Sequence, residues 1–178
     1  MDGHVQLIIG PMFSGKSTEL LRRINRYNIS KYNCIFVKYI NDIRYNNNNI
    51  TTHDQINSKL PVIKTKNLTK ILDTLIKYDI IGIDEGQFFE DITIISSQLA
   101  NLNKIVVIAA LDATFERKPF MNIISLIPLA ERVNKLNAIC MKCFKDNALF
   151  TQRLTKEIEI EVIGGSEKYW AVCRFCKT

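Results

Sequence analysis

Eight consecutive residues, Gly10-Pro11-Met12-Phe13-Ser14-Gly15-Lys16-Ser17, constrain this chain more than any other feature. They fit the pattern G-x-x-x-x-G-K-[ST], follow an apolar run from Val5 to Ile9, and open a segment where Leu20, Ile24 and Tyr27 recur at helical spacing. A strand, loop and helix in that order turn backbone N–H groups inward around phosphate oxygens, and the helix N-terminus adds partial positive charge. Gly10, Pro11, Met12, Phe13, Ser14 and Gly15 are therefore expected to cradle the phosphates of ATP. Lys16 would set a point charge against the β- and γ-phosphates, and Ser17 would offer its hydroxyl to Mg²⁺.

Apolar runs rich in β-branched residues recur at Ile35 to Tyr39, Ile80 to Ile83 and Ile105 to Ala110, each reading as a buried strand. Between them lie stretches of helical period, including the stripe Leu68, Ile71, Leu72, Leu75 and Ile76. Strands alternating with helices predict an α/β fold: a P-loop (RecA-like), mostly parallel sheet with flanking helices. Residues 41–59 are polar and Asn-rich, and read as a mobile loop. Beyond residue 138 the character changes, with cysteine pairs, a strand-like Ile158 to Ile163 and Gly164-Gly165. The chain is therefore expected to divide into a catalytic unit, 1–138, and a small module, 139–178. Its 178 residues suit one such unit with a satellite.

Asp84-Glu85 follows the run Ile80 to Ile83, so both carboxylates are expected at the carboxyl edge of the sheet, where open α/β sheets bind ligands. Asp84 is the natural carboxylate on the Mg²⁺ side. Glu85 has two readings: a base that takes the proton of an acceptor hydroxyl, or a cap on the segment that follows. Near the end, Cys140-x-x-Cys143 and Cys173-x-x-Cys176 each have the bite for two corners of a tetrahedron. Four thiolates predict structural Zn²⁺ with no open position for catalysis, and the disulfide reading is weak in a reducing compartment. Cys34, inside an expected strand, reads as a small buried hydrophobe.

Taken together, the P-loop, Asp84-Glu85-Gly86-Gln87-Phe88-Phe89, Arg117-Lys118-Pro119-Phe120, Val162-Ile163-Gly164-Gly165 and the two cysteine pairs closely resemble the type II thymidine kinases. The compact length resembles the poxviral members. The resemblance spans nearly the whole chain and implies transfer of the γ-phosphate of ATP to the 5′-hydroxyl of thymidine, and of deoxyuridine, in nucleotide salvage for DNA synthesis. It implies Glu85 as general base, with Lys16, Asp84 and Arg44 in the catalytic set and Asp42 beside the nucleotide. His53-Asp54 lie in the same loop as Asp42 and Arg44. It further implies a zinc-held zinc-ribbon-like module whose lasso loop, Ile160, Glu161, Val162, Ile163 and Gly164, reads the thymine edge through its backbone. Tyr169 would border the nucleoside, Met12, Leu111 and Thr151 would surround the 5-methyl, and Phe88, Phe115 and Phe120 would complete the wall. Read without the resemblance, Leu111, Phe115 and Phe120 are equally plain core, and Gly164-Gly165 is equally a turn. The family also implies a homotetramer, feedback inhibition by dTTP and residence in the cytoplasm, that of a host cell for a viral member. One departure is Ala113, where relatives commonly carry glycine; a positive φ there would cost about 1 kcal/mol. Another is one additional residue between Cys143 and Thr151 relative to animal members.

The net charge of +6 is spread along the chain, and a triphosphate site itself needs cations, so direct nucleic-acid binding is not expected. Two competing functions remain defined. An ATP-driven module with the zinc site as a DNA clamp would show DNA-stimulated hydrolysis. A nucleoside monophosphate kinase would need an arginine-rich lid, for which Arg117 with Lys118 is a thin substitute. No apolar run reaches the roughly 20 residues that span a bilayer, and Met-Asp-Gly-His lacks the basic opening of a signal peptide.

Overall fold

The computed structural model describes residues 2–40, 50–51, 57–58, 60–145, 147–155 and 165–177. Strand β1 (His4–Ile9) leads through the phosphate loop into helix α1 (Lys16–Ile29) and then β2 (Cys34–Tyr39). A two-residue ladder pairs β3 (Ile50–Thr51) with β4 (Asn57–Ser58). There follow β5 (Val62–Thr65), the short helix α2 (Leu72–Leu75), β6 (Ile80–Ile83), α3 (Ile92–Asn101), β7 (Ile105–Ala110), α4 (Met121–Ile124) and β8 (Arg132–Lys135). The last portion contains β9 (Ala138–Ile139) with β10 (Asn147–Ala148), and β11 (Phe150–Arg153) with β12 (Tyr169–Val172), both pairs antiparallel.

The central sheet runs β5-β2-β6-β7-β1-β8, and every pairing in it is parallel. Parallel strands covered on both faces need apolar residues at every position, and β6 and β7 are buried throughout. On one face Val5, Leu7, Ile35, Val37, Ile81, Ile83, Val106 and Ile108 pack against Leu75, Ile92, Ile95, Leu99 and Ile123. On the other, Ile8, Phe36, Ile80 and Val107 meet Leu20, Leu21 and Ile24 of α1. The period-2 alternation of the strands and the 3.6 period of α1 thus close two cores around one sheet.

One expectation needed correction, and two strands were not foreseen. The stripe from Leu68 to Ile76 does not form one helix: a 3-10 turn at Thr69–Ile71 runs into the four residues of α2, leaving Leu68 and Leu75 fully buried and Ile76 at the surface. Edge strands β5 and β8 carried no apolar run, because an edge is paired on one side only and all four residues of β8 are exposed. Cys34 is buried, as anticipated, and burial with the nearby Asp79 charge pushes its thiol up to about 11. Among the described residues no helix is long and apolar enough to cross a membrane. The strand-like 158–163 lies outside the described residues.

Because β1, β6 and β7 run the same way, their carboxyl ends deliver Gly10, Asp84 and Leu111 to one edge. The sheet order reverses beside β1: the chain leaves it toward β2 and returns to its far side at β8. Such a reversal opens the crevice where α/β sheets bind ligands.

Candidate active site

The phosphate loop owes its path to two glycines. Gly10 has φ 148°, and a Cβ there would fall 2.4 Å from the Leu136 carbonyl oxygen; Gly15, at φ 80°, turns the chain into α1. Ser14 Oγ donates to the Pro11 carbonyl at 2.8 Å, and Lys16 Nζ donates to the same oxygen at 2.6 Å. The ammonium is therefore held within the loop. Phe13, with φ 62°, turns away from that arrangement and packs on the small cluster of Ala138, Cys140, Ala148 and Val172. Met12 N donates to Thr151 Oγ1 at 3.1 Å, which ties the loop to β11.

Ser17 Oγ donates to Asp84 Oδ1 at 2.9 Å, joining the first turn of α1 to the end of β6 across the intervening β7. Two hard oxygen donors so placed, one of them anionic, suit a Mg²⁺ ion. Glu85 is half-buried with φ 53° and ψ 44°. A left-handed non-glycine residue costs on the order of 1–3 kcal/mol and persists only where its surroundings hold it. Its side chain does not cap the 3-10 turn Gly86–Phe88. The capping alternative therefore falls: the Glu85 carboxylate accepts instead from Gln87 Nε2 at 2.5 Å.

Several of the residues expected to form the nucleoside wall have defined partners. Leu111 N donates to Gln87 Oε1 at 3.0 Å. Phe88 lies against Tyr39, ring centroids 5.0 Å apart, and Phe120 packs against the larger core cluster at the start of α4. Phe115 is stacked by the Arg153 guanidinium, 4.0 Å from its ring centroid, and Arg153 also donates to the Tyr169 hydroxyl at 2.8 Å. Lys177 Nζ donates to the carbonyls of Phe115 and Thr151 at 3.0 and 3.3 Å, and burial and Arg117 lower its basicity. Phe115, Thr151 and Tyr169 are thereby brought into one assembly with Met12. Asp42, Arg44, His53, Asp54 and the loop 160–164 lie outside the described residues.

Ala113 does not take a positive φ. It forms an isolated bridge with Pro119, and the left-handed residue of this tight loop is Arg117 at φ 65°. Sequence reasoning missed Gln87, Arg153 and Lys177. Gln87 stood inside a quoted motif, and a buried glutamine beside two carboxylates is the signal that was available. Arg153 and Lys177 had no such signal, because an isolated basic residue reads as solvated surface.

The sulfur atoms of Cys140, Cys143, Cys173 and Cys176 all lie within 4.8 Å of one another. Burial opposes ionisation of Cys140, but hydrogen bonds from the backbone of Cys143, Cys173 and Lys142 and from the Cys143 thiol bring it down to about 6. Burial, then hydrogen bonds with the Cys173, Cys143 and Cys140 thiols, push Cys176 up to about 12. One thiolate so formed discourages the next, which is the condition a soft divalent cation relieves. The donor set fits zinc, and its four positions leave no room for a further ligand on a tetrahedral ion.

A parallel sheet with a phosphate loop on one strand, and an acidic pair ending the next strand but one, defines a P-loop nucleotide-binding α/β protein. The fold is shared with the crystal structure of flagellar accessory protein FlaH from Methanocaldococcus jannaschii: TM-score 0.55 at 16% identity, covering 88% of this chain and 74% of that one. The family profile described as Thymidine kinase matches residues 3–177. Thymidine kinases of Sheeppox virus (strain KS-1) and Vaccinia virus (strain Western Reserve) are 58% and 55% identical over 174 residues, covering 98% of this chain and 96% of each relative. That of Raccoon poxvirus is 56% identical over the same extent. The chain belongs to the thymidine kinase family, and family membership selects the nucleoside kinase among the three functions considered above.

Proposed function

We propose that this chain transfers the γ-phosphoryl group of ATP to the 5′-hydroxyl of thymidine. The observation that carries the reading is the Ser17–Asp84 hydrogen bond, which joins the first turn after the phosphate loop to Asp84 and so supports Glu85, the next residue, as the base. The bond from the 5′-oxygen to the γ-phosphorus forms as the bond from that phosphorus to the β,γ-bridging oxygen breaks. ADP leaves, and the hydroxyl proton passes to the Glu85 carboxylate. Lys16 and the loop N–H groups oppose the charge gathering on the phosphoryl oxygens. Ser17 and Asp84 would hold Mg²⁺, which when bound draws negative charge from the β- and γ-oxygens. Arg44 and Asp42 complete this set by family resemblance.

The nucleoside is read from the other side. Met12, Leu111 and Thr151 surround the 5-methyl, and Phe88, Phe115, Phe120 and Tyr169 form the walls. The backbone of Ile160, Glu161, Val162, Ile163 and Gly164 pairs with the thymine edge. Residues 139–178 act as one unit, with zinc on the four cysteines holding the ends of the lasso. Deoxyuridine is accepted with a loss of about 1–3 kcal/mol for the missing methyl, whereas deoxycytidine reverses the hydrogen-bond sense and leaves buried groups unpaired. As in the family it resembles, the protein acts as a homotetramer in nucleotide salvage, in the cytoplasm of a host cell, under feedback by dTTP.

Incubating purified protein with labelled ATP, Mg²⁺ and a panel of nucleosides and nucleotides tests the reading. Label should reach thymidine and deoxyuridine, and equal efficiency with deoxycytidine would defeat the proposed base recognition. Glu85→Gln should lower kcat by about 10²–10⁴ while ATP still binds. Near-normal turnover in that variant removes Glu85 from the role of base.

A further inference from the structure

Gln87 is 4% exposed and spends both ends of its side chain at the site. Its Oε1 accepts from Leu111 N at 3.0 Å and its Nε2 donates to Glu85 Oε2 at 2.5 Å. The orientation of the amide is fixed by its partners, since an N–H can only meet the carbonyl end and a carboxylate can only meet the NH₂ end. Its own carbonyl accepts from Asn122 Nδ2 at 3.0 Å, and that same amide group also donates to Phe89 O at 3.0 Å. Gln87 is thus held at its backbone from α4 and at its side chain from the end of β7, while its side-chain NH₂ donates to Glu85.

We infer that Gln87 is the positioning residue for the catalytic carboxylate: it couples the rotamer of Glu85 to the Leu111 backbone on the nucleoside wall. The inference rests on the proposed role of Glu85 as base. Glu85 leaves β6 in a left-handed conformation on a half-exposed turn, where a carboxylate without a fixed partner would sample several rotamers. A hydrogen bond to a buried, doubly anchored amide restricts that freedom at Oε2 of Glu85. The same amide ties Leu111, so the methyl wall and the base are set by one side chain. Misplacement of a reacting group by about 1 Å costs on the order of a hundredfold in rate.

The test measures kcat and KM for thymidine and ATP in Gln87→Met, Glu85→Gln and the double variant, by single-turnover kinetics where activity is low, with melting temperatures for all. Gln87→Met keeps the length of the side chain and loses both hydrogen bonds; Gln87→Asn, which keeps an amide but withdraws it, serves if the first variant does not fold. The expected result is a kcat lower by about ten- to a hundredfold with KM values within about threefold of the parent. In the Glu85→Gln background the same substitution should cost less than about twofold, because two residues acting as a unit are not additive. Equal losses in the two backgrounds, or a change confined to KM, would overturn the positioning role while leaving Glu85 as base. A Glu85→Gln variant of near-normal turnover would overturn both.

Discussion

Ser17 Oγ stands 2.9 Å from Asp84 Oδ1, although 67 residues separate the two in the chain. The contact depends on a parallel sheet in which β7 alone lies between the strands that deliver them. Asp84 is only 9% exposed and also accepts from Glu85 N at 3.0 Å, so it is held rigidly. Asp84→Asn preserves the shape and removes the charge. Titration of activity with Mg²⁺ should show a requirement raised by about ten- to a hundredfold, with little change in melting temperature. An unaltered Mg²⁺ dependence would exclude this pair as the metal-binding oxygens.

Cys140 and Cys173 are buried in the small cluster onto which Phe13 of the phosphate loop packs. Zinc held there would stabilise the folded state by its own binding free energy. Cys173→Ser, or removal of metal by a chelator, should therefore lower the melting temperature by roughly 10 °C and abolish stoichiometric zinc in elemental analysis. Turnover at low temperature should fall less than stability does. Full stability without bound metal would contradict the structural assignment.

The sheet and the strand, loop and helix around the glycine pattern were legible because their signals are local. An apolar run of four to six residues, or a glycine pattern before a lysine, is set by neighbours in the chain. What escaped notice is set by neighbours in space. Val62–Thr65 and Arg132–Lys135 become strands only because β2 and β1 offer them an edge. Arg153 reads as a surface cation until Phe115 and Tyr169 are seen to enclose it. Ala113 illustrates the converse, for a glycine-like demand expected at one residue is met four positions later, by Arg117.

Glu19 provides a test of electrostatics away from the site. It accepts from Arg22 Nε at 2.6 Å and Arg22 Nη2 at 2.8 Å, and from Arg23 Nε at 2.7 Å. The hydrogen bonds from Arg22 first, and those from Arg23, outweigh burial and hold its carboxyl at about 2, below the ordinary 4.5. A depressed carboxylate contributes stability that is complete above the unfolded value and lost as pH falls toward the folded one. Arg22 is half-exposed, so screening limits the contribution to about 1 kcal/mol. In urea titrations, parent and Glu19→Gln should differ by a constant amount above about pH 5 and converge only as pH approaches about 2. A difference that grew on acidification would reverse the sign of the argument.

Arg153 offers the sharpest separation between the two substrates. It is 9% exposed, stacks on Phe115, lies 5.3 Å from the Tyr169 ring centroid and donates to the Tyr169 hydroxyl. A planar guanidinium can satisfy all three contacts at once, whereas an ammonium keeps the charge but not the stacking or the fork. Arg153→Lys should therefore let Phe115 and Tyr169 move apart while the phosphate loop, whose tie to β11 runs through Thr151, keeps its place. The expected outcome is a KM for thymidine raised by about tenfold, corresponding to about 1.4 kcal/mol, with the KM for ATP and kcat within about threefold of the parent. A matched rise in both KM values would mean that Arg153 supports the fold as a whole rather than the nucleoside wall.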